Sequence, residues 1–92
     1  MQIKADDHKA WYNRGVAFFN LGRFEQAIES YDKALQIKPD SHEAWNNRGL
    51  ALINLGRNKE ALESVDKALQ IKPDFEVAIK VRTLLLGKLK KR

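Results

Sequence analysis

Residues 8–41 read HKAWYNRGVAFFNLGRFEQAIESYDKALQIKPDS, and residues 42–75 read HEAWNNRGLALINLGRNKEALESVDKALQIKPDF. The two stretches are identical at 23 of 34 positions. Self-similarity at a fixed period of about 20 to 50 residues is typical of stacked repeat proteins, because one unit cannot bury its apolar face alone. The repeat therefore predicts a function that lies on a surface shared by the units, and not in a catalytic pocket.

The composition limits the chain to one small domain. It has 92 residues, of which 43% are hydrophobic and 32% are charged, and it has no cysteine. The lack of cysteine excludes a disulfide framework and a thiolate metal site. No apolar stretch approaches the roughly 20 residues that cross a bilayer, and the first seven residues lack the apolar centre of a signal peptide. We therefore expect a cytoplasmic protein with no membrane partner.

Within each unit the apolar residues have helical spacing. The first helix carries its apolar stripe at Trp11, Gly15, Phe18 and Leu21 in one unit and at Trp45, Gly49, Leu52 and Leu55 in the other. The pattern predicts second helices over 24–37 and 58–71, with no strand-like alternation anywhere. The predicted fold class is all-α, built from repeated helix-turn-helix units.

Residues that end and begin helices stand at the predicted boundaries. Gly22 and Gly56 follow the first helices, where glycine commonly provides a left-handed C-terminal cap. Pro39 and Pro73 follow the second helices, since proline disfavours helix in the residue before it. Asp40 with Glu43 three residues later fits a capping box, so we expect Asp40 to cap the next helix.

These residues resemble the tetratricopeptide repeat family. The family pattern has Trp, Gly, a large apolar residue, Ala, an aromatic residue, Ala and Pro at unit positions 4, 8, 11, 20, 24, 27 and 32. Here the first unit reads Trp11, Gly15, Phe18, Ala27, Tyr31, Ala34 and Pro39, and the second reads Trp45, Gly49, Leu52, Ala61, Val65, Ala68 and Pro73. Two departures are an arginine at position 7, where leucine is usual, and Val65 in place of the aromatic residue. The resemblance implies a short right-handed α-solenoid.

The chain divides into four segments on this pattern. Residues 8–41 and 42–75 are the repeats, and residues 76–92 begin as the first helix of a third unit. Residues 1–7 include Gln2-Ile3-Lys4-Ala5-Asp6, which aligns with Gln36-Ile37-Lys38-Pro39-Asp40 one period later. This alignment predicts the remnant of a preceding helix or a disordered lead, and it favours an excised or engineered fragment over a natural gene that starts in a decayed repeat.

Two packing features are expected from the repeat. Gly15 should face Ala27, and Gly49 should face Ala61, which would allow the two helices of each unit to approach closely. A leucine at Gly15 or Ala27 should therefore overpack the hairpin. Arg14, Arg48 and Arg82 recur on the buried side of the first helices, where an unpaired charge is costly. Asp32 and Asp66 recur at the same period and are the expected partners, although an anion-binding ladder is the alternative.

The resemblance also implies that the first helices line a concave groove that contacts ligand at unit positions 2, 5, 6, 9, 12 and 13. The implied groove residues are Lys9, Tyr12, Asn13, Val16, Phe19, Asn20, Glu43, Asn46, Asn47, Leu50, Ile53, Asn54 and Lys80. Asparagine can both donate to and accept from the backbone of an extended peptide. The alternative is that Asn13 and Asn47 bond only to neighbouring helices.

Some members of the family bind a C-terminal carboxylate through a clamp of two lysines, two asparagines and an arginine. Asn47 matches one clamp asparagine, but Tyr12, Val16, Val77 and Val81 occupy the other positions. Binding of chaperone tails is therefore disfavoured.

The terminal segment is both apolar and basic. Leu84, Leu85 and Leu89 add apolar surface with no obvious partner, so we expect self-association into a homo-oligomer through this helix or through the amino-terminal end. Residues 76–92 hold six Lys and Arg against one Asp or Glu. Lysines at the end of a helix complement its dipole, and no aromatic stacking residue accompanies them, so nucleic acid is an unlikely partner.

The pattern does not favour an enzyme. His8 and His42 are equivalent residues one repeat apart, and no nucleophile motif or phosphate loop accompanies them. We therefore expect no metal and no cofactor. Two hypotheses remain, a module that binds a protein or peptide in its groove and a structural or engineered building block that self-associates through its ends.

Overall fold

The computed structural model describes residues 6–90, and within this range every regular element is an α-helix. The helices are α1 (His8–Asn20), α2 (Phe24–Ile37), α3 (His42–Asn54), α4 (Asn58–Ile71) and α5 (Glu76–Lys90). The predicted all-α class and the bounds of both second helices are confirmed. Residues 1–5 of the segment 1–7 predicted as a helix remnant or disordered lead, and the last two basic residues, lie outside the described residues.

The turn inside each unit is set by one glycine. Gly22 and Gly56 have φ values of +76° and +77°, a conformation that is costly for any residue with a Cβ atom. The amide N–H of Arg23 donates to the carbonyl of Phe18 at 2.9 Å, and that of Arg57 donates to Leu52 at 2.9 Å. This pairing satisfies carbonyls at the helix end, as predicted for a left-handed C-terminal cap.

The expected cap at Asp40 is wrong by one residue. The hydroxyl of Ser41 accepts the backbone N–H of Ala44 at 3.2 Å and begins α3. Asp40 instead forms an exposed ion pair with Lys38 at 3.3 Å. Serine and aspartate cap helices about equally well, so the backbone path after Pro39 decides between two adjacent candidates.

Consecutive helices pack against one another along the whole described chain, and α1 also touches α3. The core joins α2, α3, α4 and α5 through buried aliphatic residues that include Ile28, Leu52, Val65 and Leu85. The described molecule measures 44 × 26 × 17 Å. This elongated shape is that of a helical-repeat solenoid, in which each helix contacts mainly its neighbours.

The nearest neighbour of Gly15 is Tyr31, whereas the sequence predicted Ala27. A Cβ atom built on Gly15 would lie 2.5 Å from the Cε1 atom of the Tyr31 ring. The second unit has Val65 at the tyrosine position, and a Cβ on Gly49 would lie 2.7 Å from its Cγ2 atom. The same Cβ would lie 3.3 Å from the carbonyl oxygen of Ala61, so Gly49 does approach Ala61 as predicted. The glycine therefore makes room for the residue at unit position 24, which is fully buried in both units.

The expected arginine–aspartate pairs form between units. Arg48 Nε donates to Asp32 Oδ1 at 2.7 Å, and Arg82 Nε donates to Asp66 Oδ1 at 2.7 Å. Each pair thus joins the second helix of one unit to the first helix of the next. No described helix precedes α1, so Arg14 lacks the equivalent aspartate. Its Nη1 atom donates to the hydroxyl of Ser30 at 2.7 Å instead.

Candidate functional site

Two depressions lie along the contact between α1 and α3. The first, called here the apolar depression, has a volume of about 190 Å³. Its lining residues are Val16, Phe19, Asn20, Tyr31, Asn47 and Leu50. Its walls therefore combine aliphatic and aromatic surface with two primary amides.

The first helices supply the walls of the apolar depression because their residues recur every third or fourth position on one side. Val16, Phe19 and Asn20 follow this spacing on α1, and Asn47 and Leu50 follow it on α3. Phe19 is held by an edge-to-face contact with Phe24, with ring centroids 5.2 Å apart. The ring of Tyr31 comes from α2, and because that residue is buried, it forms the floor.

One hydrogen bond links the two first helices beside this depression. Asn47 Nδ2 donates to Tyr12 Oη at 2.8 Å. Burial raises the pKa of the Tyr12 phenol, the charge of Glu43 raises it further, and the Asn47 hydrogen bond offsets part of the rise. Tyr12 therefore keeps its proton at neutral pH and can donate it to a ligand. Besides the N–H donated to Tyr12, the Asn47 amide has a carbonyl oxygen and a second N–H.

The second depression, called here the polar depression, lies at the amino-terminal ends of α1 and α3. Its volume is about 210 Å³. Its lining residues are His8, Lys9, Tyr12, Ala34, Lys38, Ser41 and Glu43. Tyr12 lines this depression and bonds to Asn47 in the other one, so the two depressions are adjacent. The mixture of lysine and glutamate gives this end no single sign of charge.

Two predicted groove residues lie elsewhere. Asn46 is only 2% exposed, and its Oδ1 atom has no hydrogen-bond partner among the described residues. Its equivalent in the first unit is Tyr12, which bonds to Asn47, but the residue equivalent to Asn47 in the next unit is the apolar Val81. Asn13 lines the opposite side of α1 together with Arg14 and other residues. Neither asparagine lines the apolar or the polar depression.

Three other predicted groove residues, Ile53, Asn54 and Lys80, line neither depression. Asn54 is exposed and donates from Nδ2 to the Leu50 carbonyl at 2.8 Å. Ile53 is half-buried against the core, and Lys80 is exposed on α5.

The terminal helix agrees only in part with the expected self-association surface. Leu85 is 0% exposed and belongs to the core, so it cannot contact another molecule. Leu89 is half-buried beside the turn between α3 and α4. Leu84 is 66% exposed. Burial of Leu85 follows from its position, because its equivalent in α3 is Ala51, which faces the preceding helix and is also fully buried.

Sequence reasoning did not include Tyr31 or Lys38 among the site residues. Tyr31 was expected only in the core, and its burial is consistent with that, but one face of its ring also reaches the apolar depression. Lys38 belongs to the linker after α2, which no helical periodicity describes. Glu43, which was predicted from unit position 2 like Lys9, lines the polar depression together with it.

The described helices show neither a membrane span nor a metal centre. Between residues 6 and 90, no helix is both long enough and apolar enough to cross a bilayer. In the same range no group of three His, Cys, Asp or Glu side chains is arranged to hold a metal ion.

Helical hairpins that stack in sequence order, with side chains of successive first helices meeting along one seam, define an α-solenoid of helix-turn-helix repeats. The family model for the tetratricopeptide repeat matches residues 8–41 and 42–75. The chain therefore belongs to the tetratricopeptide repeat family, as the sequence pattern predicted. Comparison with curated proteins finds no match to this chain.

Solved structures with the same fold include several tetratricopeptide proteins. The first tetratricopeptide domain of Spaghetti (RPAP3), bound to the HSP90 peptide SRMEEVD, is 22% identical, with a TM-score of 0.91 over 94% of this chain and 68% of that one. MamA is 25% identical, with a TM-score of 0.90 over 92% of this chain and 50% of that one. The tetratricopeptide domain of Arabidopsis OM64 is 31% identical, with a TM-score of 0.84 over 87% of this chain and 66% of that one. The chain thus spans about half the length of MamA.

Proposed function

We propose that this chain is a protein-interaction module that holds an extended peptide segment across the two depressions between α1 and α3. The observation that carries the proposal is the apolar depression, in which Val16, Phe19 and Leu50 stand next to the amides of Asn20 and Asn47. An apolar recess with a few well-placed polar groups is the usual composition of a ligand site.

The size and chemistry of the depressions define the ligand. A volume of about 190 Å³ is slightly larger than the roughly 150 Å³ cavity that accepts benzene in a protein core, so one aliphatic or small aromatic side chain fits. The Asn47 amide and the Tyr12 hydroxyl then face the peptide backbone on either side of that residue. Alternating side-chain and backbone contacts favour an extended segment, since successive side chains point in opposite directions.

The bound HSP90 peptide of the Spaghetti domain supports a peptide ligand in general terms. The clamp that binds a C-terminal carboxylate in some members of the family is not reproduced here, because Tyr12, Val16, Val77 and Val81 replace four of its five residues. The ligand proposed for this chain is therefore an internal or terminal segment selected by an apolar side chain, and not by its carboxylate.

A selection from phage-displayed dodecapeptides tests this proposal, followed by calorimetry with the purified full chain. We expect selected peptides to share one aliphatic or aromatic residue. The double variant Tyr12→Phe plus Asn47→Ala should lower affinity about tenfold, because each lost hydrogen bond contributes about 0.5–1.5 kcal/mol. Lys67→Ala, on the exposed side of α4, is the control and should bind within twofold. The proposal would be contradicted if the selected peptides bound the double variant as tightly as the unmodified chain.

A second proposed property is self-association through α5. Its support is that Val77 and Leu84 are exposed and stand seven residues apart, on the same side of the helix. We expect sedimentation equilibrium to show a dimer at high micromolar concentration that Leu84→Glu converts to monomer. Ile71→Glu, which places the same charge on a partly exposed residue of α4, should leave the dimer intact. A monomer at every concentration would refute this property.

A further inference from the structure

The side of α1 that faces away from α3 carries an open apolar recess, called here the outer face. The recess has a volume of about 340 Å³. Its lining residues are Ala10, Asn13, Arg14, Ala17, Phe18 and Leu21. Leu21 is 68% exposed, and Ala17 is exposed as well.

The internal repeat shows what covers this face elsewhere in the molecule. The equivalent residues of α3 are Ala44, Asn47, Arg48, Ala51, Leu52 and Leu55. Helix α2 packs against α3, and there Ala44, Ala51 and Leu52 have no exposed surface. The same positions of α5 pack against α4, where Ala78 and Leu85 are fully buried. Among the described helices of this type, α1 alone has this face open.

The arginine at the centre of the face gives a second, independent indication. In α3 and α5 it binds an aspartate of the covering helix, at 2.7 Å in both cases. Arg14 has no carboxylate partner among residues 6–90. Its guanidinium lies over the Phe18 ring, 4.7 Å from the centroid, and donates to Ser30. By analogy with Arg48 and Arg82, Arg14 would pair with a carboxylate of the helix that covers the outer face of α1.

The two covering helices share one short pattern. Helix α2 carries Ile28, Asp32 and Leu35, and helix α4 carries Leu62, Asp66 and Leu69. An aliphatic residue, an aspartate four residues later and a leucine three residues after that lie on one side of a helix. We propose that the outer face of α1 binds an amphipathic helix of another polypeptide that carries this pattern, with its aspartate paired to Arg14.

A second copy of this chain is a poor occupant of the outer face. Its own α2 and α4, which have the pattern, are already covered by α3 and α5. Its exposed end helix α5 carries Lys80, Arg82, Lys88 and Lys90 against the single acidic Glu76, so it would place like charges near Arg14. Charge complementarity therefore favours an acidic helix from a different protein.

The probe for this test is a fluorescent synthetic peptide of residues 57–74, held helical by a lactam between Glu63 and Lys67. Both side chains are exposed in α4, so the bridge avoids the side that carries Leu62 and Asp66. We expect saturable binding to the full chain in fluorescence anisotropy. An Asp66→Asn peptide should bind about two- to fivefold more weakly, as for loss of a partly exposed ion pair, and added salt should reduce this difference.

The decisive variant is Ala17→Glu. Because Ala17 is exposed, the variant should melt at the same temperature as the unmodified chain, yet bind the peptide at least about tenfold more weakly. Ile71→Glu, which adds the same charge to a partly exposed residue of α4 away from both surfaces, should bind normally. Absence of saturable binding up to about 1 mM, or equal binding by the Ala17→Glu variant, would overturn the proposal. A dimer of the chain alone that Ala17→Glu disrupts would also overturn it, because the occupant would then be a second copy.

Discussion

Leu52→Ala is expected to lower the free energy of unfolding by about 2–5 kcal/mol. Leu52 has no exposed surface and lies in the cluster that joins four of the five helices. Removing its branched side chain loses transfer free energy and leaves a cavity that neighbouring helices fill only in part. Since small domains are stable by only about 5–15 kcal/mol, much of the total stability would be lost.

Urea denaturation followed by circular dichroism measures this effect. Leu84→Ala is the matched control, because it is the same substitution at a side chain that remains two-thirds exposed. The control should change the free energy of unfolding by less than about 0.5 kcal/mol. Equal losses of unfolding free energy for the two substitutions would mean that Leu52 is not packed in the core.

Gly15→Leu is expected to destabilise the first hairpin by about 1–3 kcal/mol, through overpacking. Even the first carbon of the new side chain would lie 2.5 Å from the Tyr31 ring. Tyr31 is buried, so its ring cannot move aside without shifting α2. The loss outweighs the gain of about 0.8–1 kcal/mol that leucine has over glycine in helix propensity.

Gly87→Leu separates overpacking from helix propensity. Gly87 also lies within a helix, but a Cβ atom built there meets nothing within 4 Å. The Gly87 variant should therefore be as stable as the unmodified chain or more so, whereas the Gly15 variant should unfold at lower temperature and lower urea concentration. If both variants were stabilised, close approach of α1 to Tyr31 would be disproved.

Most of the fold could be predicted from local patterns. The bounds of α2 and α4 and the left-handed glycines at 22 and 56 agree with the predictions, because each depends on a few neighbouring residues. The cap of α3 was misplaced from Ser41 to Asp40, since both residue types suit a cap. Gly49 approaches Ala61 as predicted, but the nearest neighbour of each glycine is the residue at unit position 24, because helical spacing does not define the rotation of one helix against another.

The candidate site could be predicted only in outline. Asn13 and Asn47 occupy the same unit position, yet Asn47 bonds to Tyr12 of the preceding unit while Asn13 lies on the outer face of α1. Tyr12 and Asn46 are likewise equivalent, but only Tyr12 meets an asparagine from the next unit. The repeat pattern identifies equivalent residues, but it does not show which of them contacts a residue of an adjacent unit.

The sequence by itself determined the repeat, its helices and their ends, because the spacing of apolar residues and the chemistry of glycine, proline and caps act over one or two turns. It also supplied the recurring arginines and aspartates. Only the tertiary structure decided that each pair joins adjacent units, that Leu85 is buried while Leu84 is exposed, and that the outer face of α1 is open. The physical reason is that burial belongs to a pair of packed helices, so identical residues differ in exposure according to their place in the stack.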